Sequence, residues 1–277
     1  MKIAITGANG YLGSHVTSYL YKAGYDVTAV DFRFDNLPTG VKRVSVDILE
    51  EENVYEKIGS PDVLIHLAWR DGFVHSSQAH MKDLSKHFTF LSDALKSGVK
   101  YLSVMGSMHE VGYHEGRIDE NTPCLPMSQY GIAKNSLRMA LTEMINREYK
   151  DVAFHWLRGF YIYGDDGRSN SIFAKLLKAT EEGKTEFPLN SGKNQYDFIS
   201  IDEMAKQIAL ASVQNEINGI INCCSGKPVA LGVMIEEYVK KNNLTISLAY
   251  GKFPDRPYDS PVIYGDDTKI RAILDRR

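Results

Sequence analysis

Ser107 and the pair Tyr130 and Lys134 are the side chains whose types and spacing could do chemistry at a carbon–oxygen bond. Tyr130-Gly-Ile-Ala-Lys134 lies early in a long helical stretch, and four residues make about one helical turn, so phenol and ammonium share a face. A phenol acts as a base near neutral pH only if its pKa of about 10 falls. A nearby ammonium, together with the positive ring of an oxidised nicotinamide, favours the phenolate by Coulomb attraction. Such a tyrosine moves a proton to or from an oxygen while hydride moves to or from the carbon. Ser107, placed just after a strand, would hydrogen-bond that oxygen and steady it. Tyr-x-x-x-Lys alone is a weak pattern, so its reading depends on whether the chain also holds a hydride carrier.

Met1–Gly13 supplies that second signal. Ile3, Ala4 and Ile5 read as a short buried strand, and Thr6 to Gly13 as a tight turn feeding a helix. The glycines at 7, 10 and 13 have separate tasks: a sharp turn, close backbone approach to a pyrophosphate, and tight helix–strand packing. The helix start presents unpaired N–H groups and a positive dipole end to phosphates. A strand before this spacing and an amphipathic helix after it make the dinucleotide reading stronger than a merely structural turn. Asp31 ends the second strand and suits the adenosine ribose hydroxyls, which favours NAD. Arg33, two residues on, could instead hold the 2′-phosphate of NADP.

The elements that position these groups alternate. Helical spacing runs over Leu12–Ala23, Ser77–Ser97 and Pro126–Glu148, with a short helix at Glu50–Ile58. Strands are expected at Tyr25–Asp31, Val41–Val46, Pro61–Ala68, Val99–Met105 and Val152–Leu157. That alternation predicts an α/β fold, a doubly wound parallel Rossmann sheet with a smaller, irregular C-terminal substrate lobe. His66 reads more readily as a core histidine than as a catalyst. Residues 1–165 form the expected dinucleotide-binding domain, with 195–225 returning to it, and 166–194 with 226–277 form the substrate lobe. Tyr161–Arg168 is expected to be a loop, with helices at Ser171–Glu182, Asp202–Val213 and Leu231–Lys241.

Composition narrows the partners. The 277 residues carry 32 basic and 35 acidic side chains without a basic run, which argues against nucleic acid or an anionic membrane. No apolar stretch is long enough to span a bilayer, and no charged-then-apolar leader precedes the first strand. Cys124, Cys223 and Cys224 lack metal-ligand spacing and read as reduced thiols, so a cytoplasmic location is expected.

Taken together, these motifs resemble the extended short-chain dehydrogenase/reductases, in the NAD-dependent epimerase/dehydratase branch that modifies nucleotide sugars. The resemblance runs through Thr6–Gly13, Asp31, Asp47-Ile48, His66-Leu-Ala68, Ser107 and Asp119–Lys134. It continues through Leu157-Arg158, Tyr163-Gly164, Asp197–Ile199, Asp202 and Arg256–Asp259. It implies that Ser107, Tyr130 and Lys134 are catalytic. Gly7, Asn9, Gly10, Tyr11, Leu12, Gly13, Asp31, Arg33, Asp47, Ile48, Leu67 and Ala68 would hold NAD, or NADP, together with Tyr130 and Lys134. Trp69, Met108, His109, Tyr161, Tyr196 and Arg256 would face a nucleoside-diphosphate sugar, with Arg256 on its diphosphate unless it makes an ordinary surface salt bridge. A homodimer packed through the Ser77–Ser97 and Pro126–Glu148 helices is implied as well, as is a place in polysaccharide biosynthesis.

Departures from the family pattern refine the expected activity. The Asp-Glu pair that dehydratases carry after the catalytic serine or threonine is Met108-His109 here, which argues against elimination of water. Tyr161 and Tyr196 replace a usual asparagine and arginine, and Asp83 another asparagine. The expectation is a 4-ketoreductase of a 4-keto-6-deoxyhexose nucleotide. A nucleotide-sugar 4-epimerase with retained NAD is the alternative, and a non-catalytic NAD(P) sensor the alternative of another class.

Overall fold

The computed structural model describes residues 1–164, 166–255 and 259–276. Ile3, Ala4 and Ile5 carry no group that needs water, and they fill β1 (Lys2–Thr6), the strand at the middle of the cofactor half. From there the chain runs through α1 (Tyr11–Lys22), β2 (Asp26–Val30), β3 (Lys42–Val44), α2 (Val54–Lys57), β4 (Val63–His66) and α3 (Ala79–Lys96). It continues through β5 (Tyr101–Ser107), β6 (Gly116–Ile118), α4 (Gln129–Glu148), β7 (Ala153–Gly159) and β8 (Tyr161–Tyr163). Next come α5 (Ile172–Glu181), β9 (Glu186–Pro188), β10 (Gln195–Ser200), α6 (Ile201–Ser212) and β11 (Gly219–Cys223). The last elements are β12 (Pro228–Ala230), α7 (Leu231–Lys241), β13 (Ser247–Ala249), β14 (Val262–Gly265) and α8 (Thr268–Leu274).

Seven strands form one sheet in the order β11-β7-β5-β4-β1-β2-β3, and every neighbouring pair is parallel. All residues of β4 and β7 are buried, as strands covered on both faces must be. Val16 and Leu20 of α1, Met204 and Ile208 of α6, and Ile270 and Ile273 of α8 cover one face. Phe90 and Leu91 of α3 and Leu137 and Leu141 of α4 cover the other. Chain order reverses between β1 and β4, the crevice where open α/β sheets bind ligands.

A second sheet, β12-β10-β14-β6 with β8 beside β10, stands over the C-terminal edge of the first. It has its own core, in which Phe173, Leu176, Phe198, Ile235 and Ile263 meet. This sheet changes several expectations. Residues 195–225 do not return to the first half as a block, because Gln195–Ser200 pairs in the second sheet while α6 and β11 rejoin the first. Tyr161–Tyr163 is a strand paired with β10 rather than loop. Residues 226–277 do not all serve the second lobe, since α8 packs against the first core. The helix expected at Glu50–Ile58 is reduced to Val54–Lys57. Asn53, in the left-handed region at φ 54°, interrupts it, and Leu49 N–H turns back to Asp47. No helix among the described residues is long and apolar enough to cross a membrane.

Candidate active site

The glycine-rich turn is shaped by contacts only glycine permits. Gly7 sits at φ +69°, and a Cβ there would lie 2.7 Å from the Ala68 backbone. A Cβ on Gly13 would lie 2.0 Å from the Gly7 carbonyl oxygen, so α1 can approach β1 this closely only without a side chain. A cavity of about 490 Å³ opens beside this turn. Gly7, Gly10, Tyr11, Leu12, Gly13, Asp31, Asp47, Ile48, Leu67 and Ala68 all line it. The first turn of α1 has no side-chain cap, which leaves its N–H groups to a ligand. Bare backbone at the helix start, an acid at the end of β2 and apolar Ile48 farther along fit a dinucleotide.

Asp31 is held in place by two backbone donors. Asn9 N–H reaches Oδ2 at 2.9 Å and Phe32 N–H reaches Oδ1 at 2.7 Å. Asn9 itself does not line the cavity; it braces the turn, its Oδ1 accepting from Asn36 N–H at 2.9 Å. Arg33 is exposed and lies outside the lining. A fixed carboxylate beside the ribose repels a 2′-phosphate. Asp31→Gly is therefore expected to lower the ratio of kcat/KM for NAD over NADP by about tenfold or more, a loss of at least about 1.4 kcal/mol of discrimination. An unchanged ratio in steady-state kinetics with both cofactors would refute the role.

Sequence reasoning missed a strap across this turn. Arg168, from the second lobe, donates to the carbonyls of Asn9 (2.9 Å) and Gly10 (3.1 Å) and to Ser14 Oγ (2.9 Å). Tyr11 OH donates to the Gly164 carbonyl at 2.5 Å. The turn is thus tied to both lobes.

Ser107, Tyr130 and Lys134 converge where β5 ends against the first turns of α4. Ser107 is the last residue of β5 and is buried, and Ser128 caps α4 by accepting from Gly131 N–H at 3.1 Å. A Cβ on Gly131 would lie 2.3 Å from the His109 carbonyl, so the helix start is pressed onto the turn that follows Ser107. The Ser107 side chain favours the Tyr130 phenolate. Lys134 shares the helix face with Tyr130, but its Nζ donates to the Met105 carbonyl at 2.7 Å and lies 3.7 Å from the centre of the Trp69 ring.

The electrostatics correct the expected acidity. Burial pushes the Tyr130 phenol up to about 12; the Ser107 hydrogen bond draws it back and Glu110 adds to the rise. Burial also lowers Lys134 to about 7, against the pull of Glu110. The lysine is itself short of solvation, so it does not by itself bring the phenol down.

Trp69 lines the first cavity and is absent from the described lining of the second. It stacks on His87 with ring centres 4.4 Å apart, and donates from Nε1 to His80 Nδ1 at 3.0 Å. Asp83, which also lines the first cavity, takes a two-pronged pair from Arg70 at 2.6 and 2.8 Å.

A second cavity, of about 560 Å³, lies on the other side of Tyr130. Met108, His109, Tyr161 and Tyr196 line it, joined by His75, Met127, Asp259 and Ile263. Tyr161 and Tyr196 pack with ring centres 4.6 Å apart, filling space where the family pattern has an asparagine and an arginine. His75 stacks flat on the Tyr130 ring at 5.0 Å and touches His109 at 4.3 Å, so the wall of this cavity is also the wall of the tyrosine. Burial holds His109 at about 4 and lowers His75, so both imidazoles are neutral at neutral pH. No motif marked His75 or His80 in advance, because they reach Tyr130 only through the fold. Arg256 lies outside the described residues.

Comparison with known proteins follows this geometry. A family model described as "NAD dependent epimerase/dehydratase family" matches residues 3–224. The chain is 43% identical over 270 residues to the dTDP-6-deoxy-L-talose 4-dehydrogenase (NAD(+)) of Aggregatibacter actinomycetemcomitans, covering 96% of this chain and 99% of that one. Among solved structures, it superposes on the UDP-N-acetylglucosamine 4-epimerase of Methanobrevibacter ruminantium with a TM-score of 0.85 at 20% identity, covering 98% and 91% of the two chains. The UDP-glucose 4-epimerase of Thermotoga maritima gives a TM-score of 0.82 at 24% identity, covering 98% and 92%. At these identities the structural likeness is one of fold.

Proposed function

The chain belongs to the NAD dependent epimerase/dehydratase family, and from that premise we propose that it reduces the 4-ketone of a nucleoside-diphosphate 4-keto-6-deoxyhexose. It is an NAD-dependent enzyme of the extended short-chain dehydrogenase type that transfers hydride on a nucleotide sugar. The relative 43% identical to it is named for the oxidising direction at the same position of a dTDP-linked 6-deoxy sugar. Hydride transfer is reversible, so the two directions use one site.

The observation that carries the sugar class is the substrate-side cavity. Asp259 is the only Asp, Glu, Lys or Arg in its described lining, and Met108, Met127 and Ile263 give it apolar wall. A sugar methyl group gains from that surface. Dehydration is disfavoured by position as well as by sequence. Met108 and His109 follow Ser107, and the next acid, Glu110, is fully buried and turned away toward Trp156.

Bound reduced nicotinamide supplies the hydride to C4. Tyr130 delivers the proton to the C4 oxygen, Ser107 holds that oxygen by a hydrogen bond, and Lys134 places positive charge beside the phenolate left behind. Mixing the protein with NADH and a dTDP-4-keto-6-deoxyhexose should consume the near-ultraviolet absorbance of reduced nicotinamide. Should that absorbance persist while the protein keeps NAD through purification and interconverts 4-epimers, the reductase reading fails and an epimerase replaces it.

We also infer a homodimer built on α3 and α4. Met81 on α3 and Ile132 and Met139 on α4 are exposed at 46%, 40% and 57%, apolar side chains that packing of these helices against a second copy would cover. Light scattering is expected to give twice the 31.1 kDa chain mass, and Met139→Glu to shift it toward that of one chain. A wild-type protein that scatters as a monomer would refute the inference.

A further inference from the structure

Glu110 is a fully buried carboxylate three residues beyond Ser107, on the single 3-10 turn Met108–Glu110. It accepts from Ser107 N–H at 2.6 Å and from Trp156 Nε1 at 2.9 Å to both oxygens. Arg158 Nη2 lies 3.6 Å and Arg138 Nε 3.8 Å from Oε2. The glycine beside it is forced: a Cβ on Gly106 would stand 2.2 Å from Trp156 Nε1 and 2.7 Å from Glu110 Oε1. The β5 terminus is therefore built around this carboxylate.

Every close partner of Glu110 is a donor or a cation, so the anion is the form the geometry fits. Arg158 is also fully buried, and a guanidinium does not shed its proton in a protein, so it needs a negative partner. Burial holds the Glu110 carboxyl above its ordinary range, and Arg158, Ser107 N–H, Trp156 and Arg138 draw it back only in part. Arg138, which meets Glu110, stands one helical turn past Lys134 on the same face of α4, and the Glu110 charge pulls toward the protonated lysine.

We propose that Glu110 is a positioning residue for the reaction centre. Its carboxylate seats Ser107 at the end of β5 and supplies the negative charge that keeps Lys134 an ammonium beside Tyr130. The proposal rests on the reading of Tyr130 and Lys134 as the proton-handling pair. His66 on β4, His87 on α3 and the Tyr130 phenol also face Lys134 and bring no negative charge, while the uncharged Met105 carbonyl and Trp69 ring add to Glu110 in favouring the ammonium.

The test follows the proton on Lys134 by NMR of protein labelled with ¹³C-lysine, its resonance assigned by loss in Lys134→Arg, with no substrate present. Glu110→Gln keeps an oxygen for Ser107 N–H but removes the charge, and should move the Lys134 midpoint down by about one pH unit, a tenfold change in proton affinity. Arg138→Gln removes a cation from the same cluster and should move it up. A purely structural Glu110 predicts no such opposite pair of shifts. If Glu110→Gln alone does not fold because it strands buried Arg158, the double variant Glu110→Gln, Arg158→Met set against Arg158→Met decides: a lower Lys134 midpoint in the double variant supports the proposal, and an equal one overturns it. If both variants fold and Lys134 does not move, Glu110 does not set its charge. Because the titration needs no turnover, a shifted Lys134 in a protein that reduces no nucleotide sugar would overturn the reductase reading and leave the charge placement standing.

Discussion

Removing one oxygen atom, in Tyr130→Phe, is expected to lower kcat by about two to four orders of magnitude while cofactor affinity and fold persist. The ring contributes packing that phenylalanine keeps: the flat stack on His75 at 5.0 Å and the edge contacts with Trp69 at 6.3 Å and His80 at 5.3 Å. What disappears is the phenol proton that Tyr130 would give to the sugar oxygen. Single-turnover measurement of nicotinamide oxidation, with NADH affinity measured separately, checks it. An equal kcat in the variant would remove Tyr130 from the chemistry and favour a binding protein without turnover. The pH dependence has a sign as well. The protein's own groups hold the phenol up at about 12, so it is protonated at neutral pH and ready to give a proton in the reducing direction. Oxidation needs the phenolate, so its rate should rise with pH over the range where reduction does not.

Acidification from about pH 6.5 to 4 is expected to remove several kcal/mol of stability. Buried His87 at about 3, half-buried His109 at about 4 and buried His155 at about 4 titrate below their ordinary 6.5, and buried His66 is lowered as well, each chiefly because burial penalises the charged ring. In that window the unfolded chain binds more protons than the folded one, so stability falls as pH falls and is regained toward neutrality. Down to pH 4 each such histidine is worth at most roughly 3 kcal/mol. His155 shows why. Gln214 Nε2 donates to its Nε2 at 3.2 Å, so Nδ1 carries the proton and donates to Ser103 Oγ at 3.0 Å. A second proton would face a donor in a site closed to water. Urea unfolding at successive pH values measures the slope, and His155→Gln should flatten it without touching the site. A stability that stays level from pH 6.5 to 4 would contradict the assignment.

What could be read from the residues depended on how local the cause was. β1, the glycine turn, α1 and the long helices follow from nearest-neighbour patterns, because apolar spacing and the Gly7 and Gly13 contacts are set within a dozen residues. β6, β8, β9, β12 and β13 have three residues each, too few for a period, and they exist only because distant partners complete a sheet. The site divides in the same way. Ser107, Tyr130 and Lys134 announce themselves by type and spacing, and they meet. The direction of the Trp69 side chain after β4 is not legible locally, because His80 and His87 on α3 decide it. Glu110 did carry a local sign, since Ser-x-x-Glu at 107–110 is the pattern of a capping box, and the structure forms one. That pattern marks a turn, not the two arginines that make the carboxylate matter.

The second sheet takes β6 from early in the chain, β8 and β10 from its middle and β14 from near its end, and α8 then crosses back to the first core. Neither half can therefore be cut away as a self-contained module. During synthesis, Ile118 waits for Gly265, its register partner on β14, and the face covered by Ile270 and Ile273 stays bare until the last helix has emerged. Heat or denaturant meets one interlocked body, so the two halves melt in a single cooperative step rather than in sequence.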